Sequence, residues 1–275
     1  MEEINLTNWD EFSYNIKKIR SDYGIQQSEF DGRTRDEKNR ILFRGQSNSE
    51  WPLQTTLERQ TTERFHVEKY LSYAASCAHE IEAYTGYKWG INDNPTISRE
   101  IQEKQIDKKP YLPHYDYLIY LRQHSFPSPL LDWTESPYIA AFFALSEQKD
   151  NEKSVVYAYI ENITDIRDVS RNTLISVLGL YVSTHKRHFS QKSWYTIATK
   201  WDEISKRHYF CSHDEIFSQP VKDQDVLVKI TFPFSQRGKG LVELNDYNIN
   251  YFTLFQTEEY LIKALAMKIF VIDKS

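Results

Sequence analysis

HSFPSPLLDWTESPYIAAFFA, residues 124–144, changes character twice within a short span, from helix end to extended piece to helix, and those changes set the fold class. It begins at the end of YDYLIYLRQH, a helix that must stop before Pro127. PLLDW is a short, buried extended piece. SPYIAAFFALSEQ is a second helix, with Ser136 as its N-cap and Pro137 in the first turn, where a missing N–H leaves nothing unsatisfied. A strand set between two helices, with no regular βαβ repeat around it, points to an α+β domain rather than a doubly wound parallel sheet.

Working outward, SVVYAYI (154–160) and VLVKITF (226–232) are the clearest strands, being rich in β-branched and aromatic residues. ILF (41–43) is a short buried strand that delivers Arg44 and Gly45 into a turn, and SNSEWPLQTTL reads as loop followed by another extended piece. A first helix starts at Asn8, with Trp9, Phe12 and Ile16 on one face, and the polar stretch before Lys38 is a loop. Apolar residues at helical spacing predict a long helix from about Thr62 to about Tyr84, with Gly86 as its stop. Residues 86–110 read as an exposed connection with a helical turn near Arg99–Lys104. Near the C-terminus the pattern gives helix from Ser235, then NYFTLF, a helix over Glu258–Leu265, and a final strand KIFVI.

These pieces make one domain over 1–275 around a mixed or antiparallel sheet. Residues 1–39 form an N-terminal helix and loop, and 86–110 and 161–220 are insertions.

The net charge of −5 argues against non-specific coating of nucleic acid, which needs clustered Lys and Arg. Two cysteines, Cys77 and Cys211, have neither metal-ligand nor disulfide spacing, which suits a reducing compartment. An acidic start, MEEINLTNWDEF, and the lack of a long apolar run give the expectation of a cytoplasmic protein with no membrane partner. With no paired carboxylates plus lysine and no His pair at metal spacing, a metal-dependent nuclease is disfavoured and no metal site is assigned.

Two segments carry the candidate chemistry. Arg44 followed by Gly45 places a permanent cation beside bare backbone, as a phosphate or carboxylate requires, though an arginine paired with a structural carboxylate reads the same way. In the second segment Asp132, Trp133, Thr134 and Ser136 crowd polar groups at the mouth of a helix. Trp133 can stack on a base or nicotinamide and Asp132 can pair with Arg44; the plainer reading makes Ser136 a cap and Trp133 core. The run THKRHFSQKSWYTIATKW, with Lys186, Arg187, Trp194 and Tyr195, interleaves bases and aromatics as single-stranded nucleic-acid grooves do, or is a solvated helix face.

With Phe43-Arg44-Gly45-Gln46, the Trp-centred SNSEWPLQTTL, the segment His124–Ala144 and the tail INYFTLFQTEEYLIKAL quoted, the sequence resembles the FRG family over about residues 40–265. Gln256 and Thr257 depart from the Pro-Asp pair common there. The motif order is similar to that of ADP-ribosyltransferases of the arginine-serine-glutamate class. That resemblance implies an ADP-ribosyltransferase-like fold with NAD as substrate. It also implies that Arg44, Gly45, Gln46, Thr55, His124, Asp132, Trp133, Thr134 and Ser136 hold the dinucleotide, with Glu258 or Glu259, alongside Arg44, doing the chemistry. Near the nicotinamide bond such a carboxylate would stabilise an oxocarbenium-like centre. Some proteins of this resemblance are toxins in bacterial antiphage toxin-antitoxin modules that modify RNA. The implied acceptor is therefore RNA, with protein second, contacted by Lys186, Arg187, Trp194 and Tyr195, and the implied partner is an antitoxin. The rival expectation is a non-catalytic module that grips a nucleotide or a partner.

Overall fold

A computed structural model describes residues 2–30, 33–105, 110–149, 152–161, 173–179, 186–217 and 225–274. The strands are β1 (Glu2–Asn5), β2 (Ile25–Phe30), β3 (Arg33–Lys38), β4 (Arg40–Gln46) and β5 (Leu131–Thr134), then β6 (Lys153–Glu161), β7 (Thr173–Leu178), β8 (Ser193–Asp202), β9 (Arg207–Phe210) and β10 (Val226–Pro233). Eight of them form one sheet in the order β1-β10-β6-β4-β5-β8-β7, with β9 also paired to β8, while β2 and β3 make a separate hairpin. The β1–β10 pair is parallel and the other pairs are antiparallel, so the sheet is mixed and the domain is α+β, as expected.

The helices are α1 (Glu11–Tyr23), α2 (Thr56–Gln60), α3 (Val67–Ser76), α4 (Ala78–Thr85), α5 (Asn94–Lys104) and α6 (Tyr115–Gln123), then α7 (Pro137–Ser146), α8 (Lys186–Ser190), α9 (His213–Phe217), α10 (Arg237–Asp246), α11 (Tyr251–Phe255) and α12 (Glu258–Phe270). Helices cover the central strands on both sides. β6 shows why: Val156, Ala158 and Ile160 pack with α1, α7 and α10, while Val155, Tyr157 and Tyr159 face the opposite layer with Leu42 and Trp133. The strand's period of two thus fills two cores. A third core joins α3, α5 and α6 to Tyr195 and Ile197 of β8.

Several expectations change. The stretch before Lys38, read as loop, pairs as β2–β3 from Ile25–Lys38 to Phe30–Arg33. Strand β4 runs on through Gln46, so Arg44 and Gly45 lie in paired strand rather than in a turn. The long helix starts later, at Val67, because Thr61 and His66 are extended, no helix forms between them, and His66 bridges Tyr209; it breaks at Cys77 and stops at left-handed Gly86. The connection 86–110 contains all of α5, capped by Asp93 and anchored by buried Ile97 and Ile101. KIFVI is no strand: the helix-forming run of Leu, Lys, Ala and Met ahead of it carries α12 through Phe270. Of the insertion at 161–220, residues 162–172, 180–185 and 218–220 lie outside the described residues, and the rest supplies β7, α8, β8, β9 and α9. Among the described residues no helix is long and apolar enough to cross a membrane.

Candidate functional site: a cationic cleft where the sheet opens

The sheet is continuous except at one seam. β4 and β5 are joined only by the pair Phe43–Thr134, whereas β4 pairs with β6 over seven residues. Where backbone pairing stops, a side chain takes over: Arg44 Nη1 donates to the Asp132 carbonyl at 2.9 Å, and its Nε donates to Gln46 Oε1 at 3.3 Å. A cleft of about 840 Å³ opens over this seam, within the size range of small-molecule sites.

Gly45 sets one wall. A Cβ there would stand 1.9 Å from the Ala140 carbonyl oxygen and 2.7 Å from the Ala144 nitrogen, so only glycine lets α7 lie directly on β4. Helix α7 itself is started by Ser136, whose Oγ accepts from Ile139 N at 3.3 Å, and almost all of it is buried.

Asp132 is the electrostatic hinge of the site. Arg122, on α6, grips it with two donors, Nε to Oδ1 at 3.0 Å and Nη2 to Oδ2, while Arg44 Nη1 lies 3.9 Å from Oδ2. This is the fork geometry that arginine offers a carboxylate. Burial would raise the Asp132 carboxyl, but Arg122, then Arg44 and Arg59, outweigh it and hold it below the usual range. Although deep in the cleft, its side chain remains 42% exposed to the open space. Burial, with Arg122 and Arg59 nearby, pulls the Arg44 guanidinium down to about 10, so it stays charged at neutral pH.

Five cations line the cleft, Arg44, Arg59, Arg122, Arg187 and Lys263, against two carboxylates, Asp132 and Glu147. In a chain of net charge −5 this is a concentrated reversal of sign, and a low-dielectric cleft focuses such a field on an incoming anion. The far wall is aromatic. Phe255 and Tyr260 stack at 3.9 Å and 9°, Arg187 lies over both rings, and Lys263 sits 4.1 Å from the Tyr251 ring while pairing with Glu147 at 3.1 Å. Ser190 and Gln191 donate to the Leu254 carbonyl, fastening α11 to the turn ahead of β8.

The structure brings Arg44, Gly45, Gln46, Asp132, Thr134, Arg187 and Tyr195 to this cleft. Other expected site residues have structural roles. Thr55 is 3% exposed and forms a capping box with Glu58 at the start of α2. Ser136 is the cap of α7. His124 is an exposed residue closing α6, packed beside Tyr120. Trp133 borders the cleft, but its ring is 3% exposed, packs on Tyr159 and donates to Thr196 Oγ1 at 2.8 Å, so it offers no stacking face. The acceptor groove does not form as expected: Trp194 and Tyr195 are buried because they lie in the interior strand β8, Trp194 under Arg40, and Lys186 is exposed away from the cleft. Glu258 and Glu259 are exposed at the first turn of α12 and do not line the cleft; α12 presents Tyr260 and Lys263 there instead. Among the described residues no group of three or more His, Cys, Asp or Glu is placed to hold a metal ion.

Arg59, Arg122, Glu147, Trp51 and the α11–α12 aromatics were missed from the sequence. Trp51 centres the motif SNSEWPLQTTL, and Tyr251, Phe255 and Tyr260 lie in INYFTLFQTEEYLIKAL, but no local pattern marks Arg59, Arg122 or Glu147.

What the geometry defines is an α+β domain with a cationic cleft at a split in its sheet. Residues 39–153 match the family model of the FRG domain, a stretch that includes β4, β5, α7 and the arginines at 44, 59 and 122. No curated protein and no solved structure matches the chain.

Proposed function

We propose that the chain is an NAD-dependent ADP-ribosyltransferase that binds NAD in the cleft between β4 and β5, modifies RNA in antiphage defence, and is neutralised by an antitoxin. The observation that carries the reading is the meeting of Arg44 and Asp132, 88 residues apart, at the one seam of the sheet, amid a clear excess of cations. Arg44 and Arg59 are suited to the diphosphate, and the aromatic wall to a planar ring. In the transfer, the bond from ribose C1′ to nicotinamide breaks with its electron pair leaving on nicotinamide. The acceptor's lone pair closes on C1′, and the acceptor's proton passes to a carboxylate or water. Asp132 is gripped by two donors of Arg122, so Glu147, which meets Lys263 and Tyr251 through one oxygen and whose side chain is 66% exposed, is the cleft carboxylate assigned to the cationic ribose centre.

A second reading, a nucleotide-binding module without transfer, is favoured by one observation: Glu258 and Glu259 face solvent outside the cleft. The two are separated by incubating the protein with radiolabelled NAD, total RNA and cell lysate. Label on RNA with the wild type, lost in Arg44→Ala and reduced at least a hundredfold in Glu147→Gln, supports the transferase; a single lost electrostatic contact to the transition state commonly costs about that much in rate. Nucleotide binding with neither transfer nor nicotinamide release supports the module.

A further inference from the structure

Of the six tryptophans in the chain, Trp9, Trp133, Trp194 and Trp201 are buried, Trp89 is half-buried, and each of these five packs against another ring or a cation. Trp51 differs in every respect. It is 50% exposed, and among the described residues its indole has no ring partner, no cation over it and no hydrogen bond. It lines the cleft together with Arg44 and Arg59. A large apolar ring left in water within a concave, cationic site is the arrangement expected of a surface completed by a ligand.

The ring is also held ready. Gln46, which accepts from Arg44, donates its Nε2 to the Trp51 carbonyl at 2.9 Å, tying the position of the ring to that of the guanidinium. Before it, Ser49 N bonds the Lys153 carbonyl and Glu50 N bonds Asn48 Oδ1. After it, Leu53 is fully buried, with its N–H given to Asp214. A loop fastened at both ends loses little freedom when a ligand arrives.

We propose that Trp51 is the ring platform of the cleft, stacking on the base of a nucleotide whose phosphates rest on Arg44 and Arg59. This rests on the reading of the cleft as a nucleotide site, and not on transfer taking place there.

The test is calorimetric titration of the full chain with ADP and with inorganic pyrophosphate, which carries the charge without the ring. Trp51→Ala is expected to weaken ADP at least tenfold, the scale of one base–aromatic stack, while pyrophosphate affinity is unchanged and Trp51→Phe recovers most of the ADP affinity. Absence of ADP binding in the wild type, equal ADP affinity in Trp51→Ala, or a parallel loss of pyrophosphate would overturn the assignment. ADP binding that depends on Trp51 in a protein that never consumes NAD upholds the platform while sinking the transferase.

Discussion

Gly45 illustrates how much of the site hangs on single residues. Its missing side chain is what allows α7 to rest on β4, and the atoms a Cβ would strike are backbone, which cannot rotate away. Gly45→Ala is therefore expected to destabilise the fold by about 1–3 kcal/mol, as overpacking of a filled interior does, seen as a lower urea midpoint with an unchanged slope. An unchanged midpoint would mean that α7 can lift off the strand freely. At this scale the sequence was partly legible. A cation beside a glycine at a strand end, and an aspartate ahead of a helix cap, are local patterns, and Arg44 and Asp132 do meet. Trp133, Trp194 and Tyr195 are buried because their strands are covered on both faces, which aromatic content alone does not reveal; Tyr195 still borders the cleft. Arg59, Arg122 and Trp51 were hidden because three separate elements bring them to one place.

Among the elements, α7 and α12 differ in how far local sequence fixes them. Helix α7 declares itself through Ser136 and Pro137, and removing the cap with Ser136→Ala is expected to cost about 1 kcal/mol in urea unfolding. No loss would mean that packing alone starts the helix. Helix α12 looks from its sequence like an acidic start worth assigning to chemistry followed by a strand. In the structure the acids are exposed, and the cleft is met by the next residue, Tyr260, and by Lys263 one turn on from Glu259. Glu258→Ala/Glu259→Ala is thus expected to leave ADP affinity at the wild-type value in the same titration, whereas a loss of more than a few fold would return those residues to the site. The β2–β3 hairpin had a signal that the loop reading passed over, since Asp31-Gly32 is a favoured hairpin dipeptide between flanking runs of equal length. The β-branched and aromatic run of KIFVI lost to the helix-forming residues that precede it, a contest that propensity alone does not settle.

For the whole molecule, the balance of charge and burial makes acid the weak side of stability. His213 is fully buried, where Thr196 Oγ1, which also accepts from Trp133, lies 2.8 Å from its Nε2. Burial, and secondarily Arg44, pushes His213 down to about 3. His208, buried against Trp201, is pushed down to about 4 by burial, against a small opposing pull from Glu68. Both therefore stay neutral in the folded chain, while in the unfolded chain they take up protons below about 6.5. A folded-state value below the unfolded one means that stability is complete above pH 6.5 and drains as the pH falls toward 4 and 3. Each histidine is expected to remove about 1.4 kcal/mol between pH 7.5 and pH 5.5. Urea unfolding at those two pH values should show a drop of about 3 kcal/mol in the wild type and about half of that in His208→Gln, which still holds the other buried imidazole. A wild type equally stable at both would mean that water or a carboxylate reaches these rings and that the layer beneath the cleft is more open than its packing indicates.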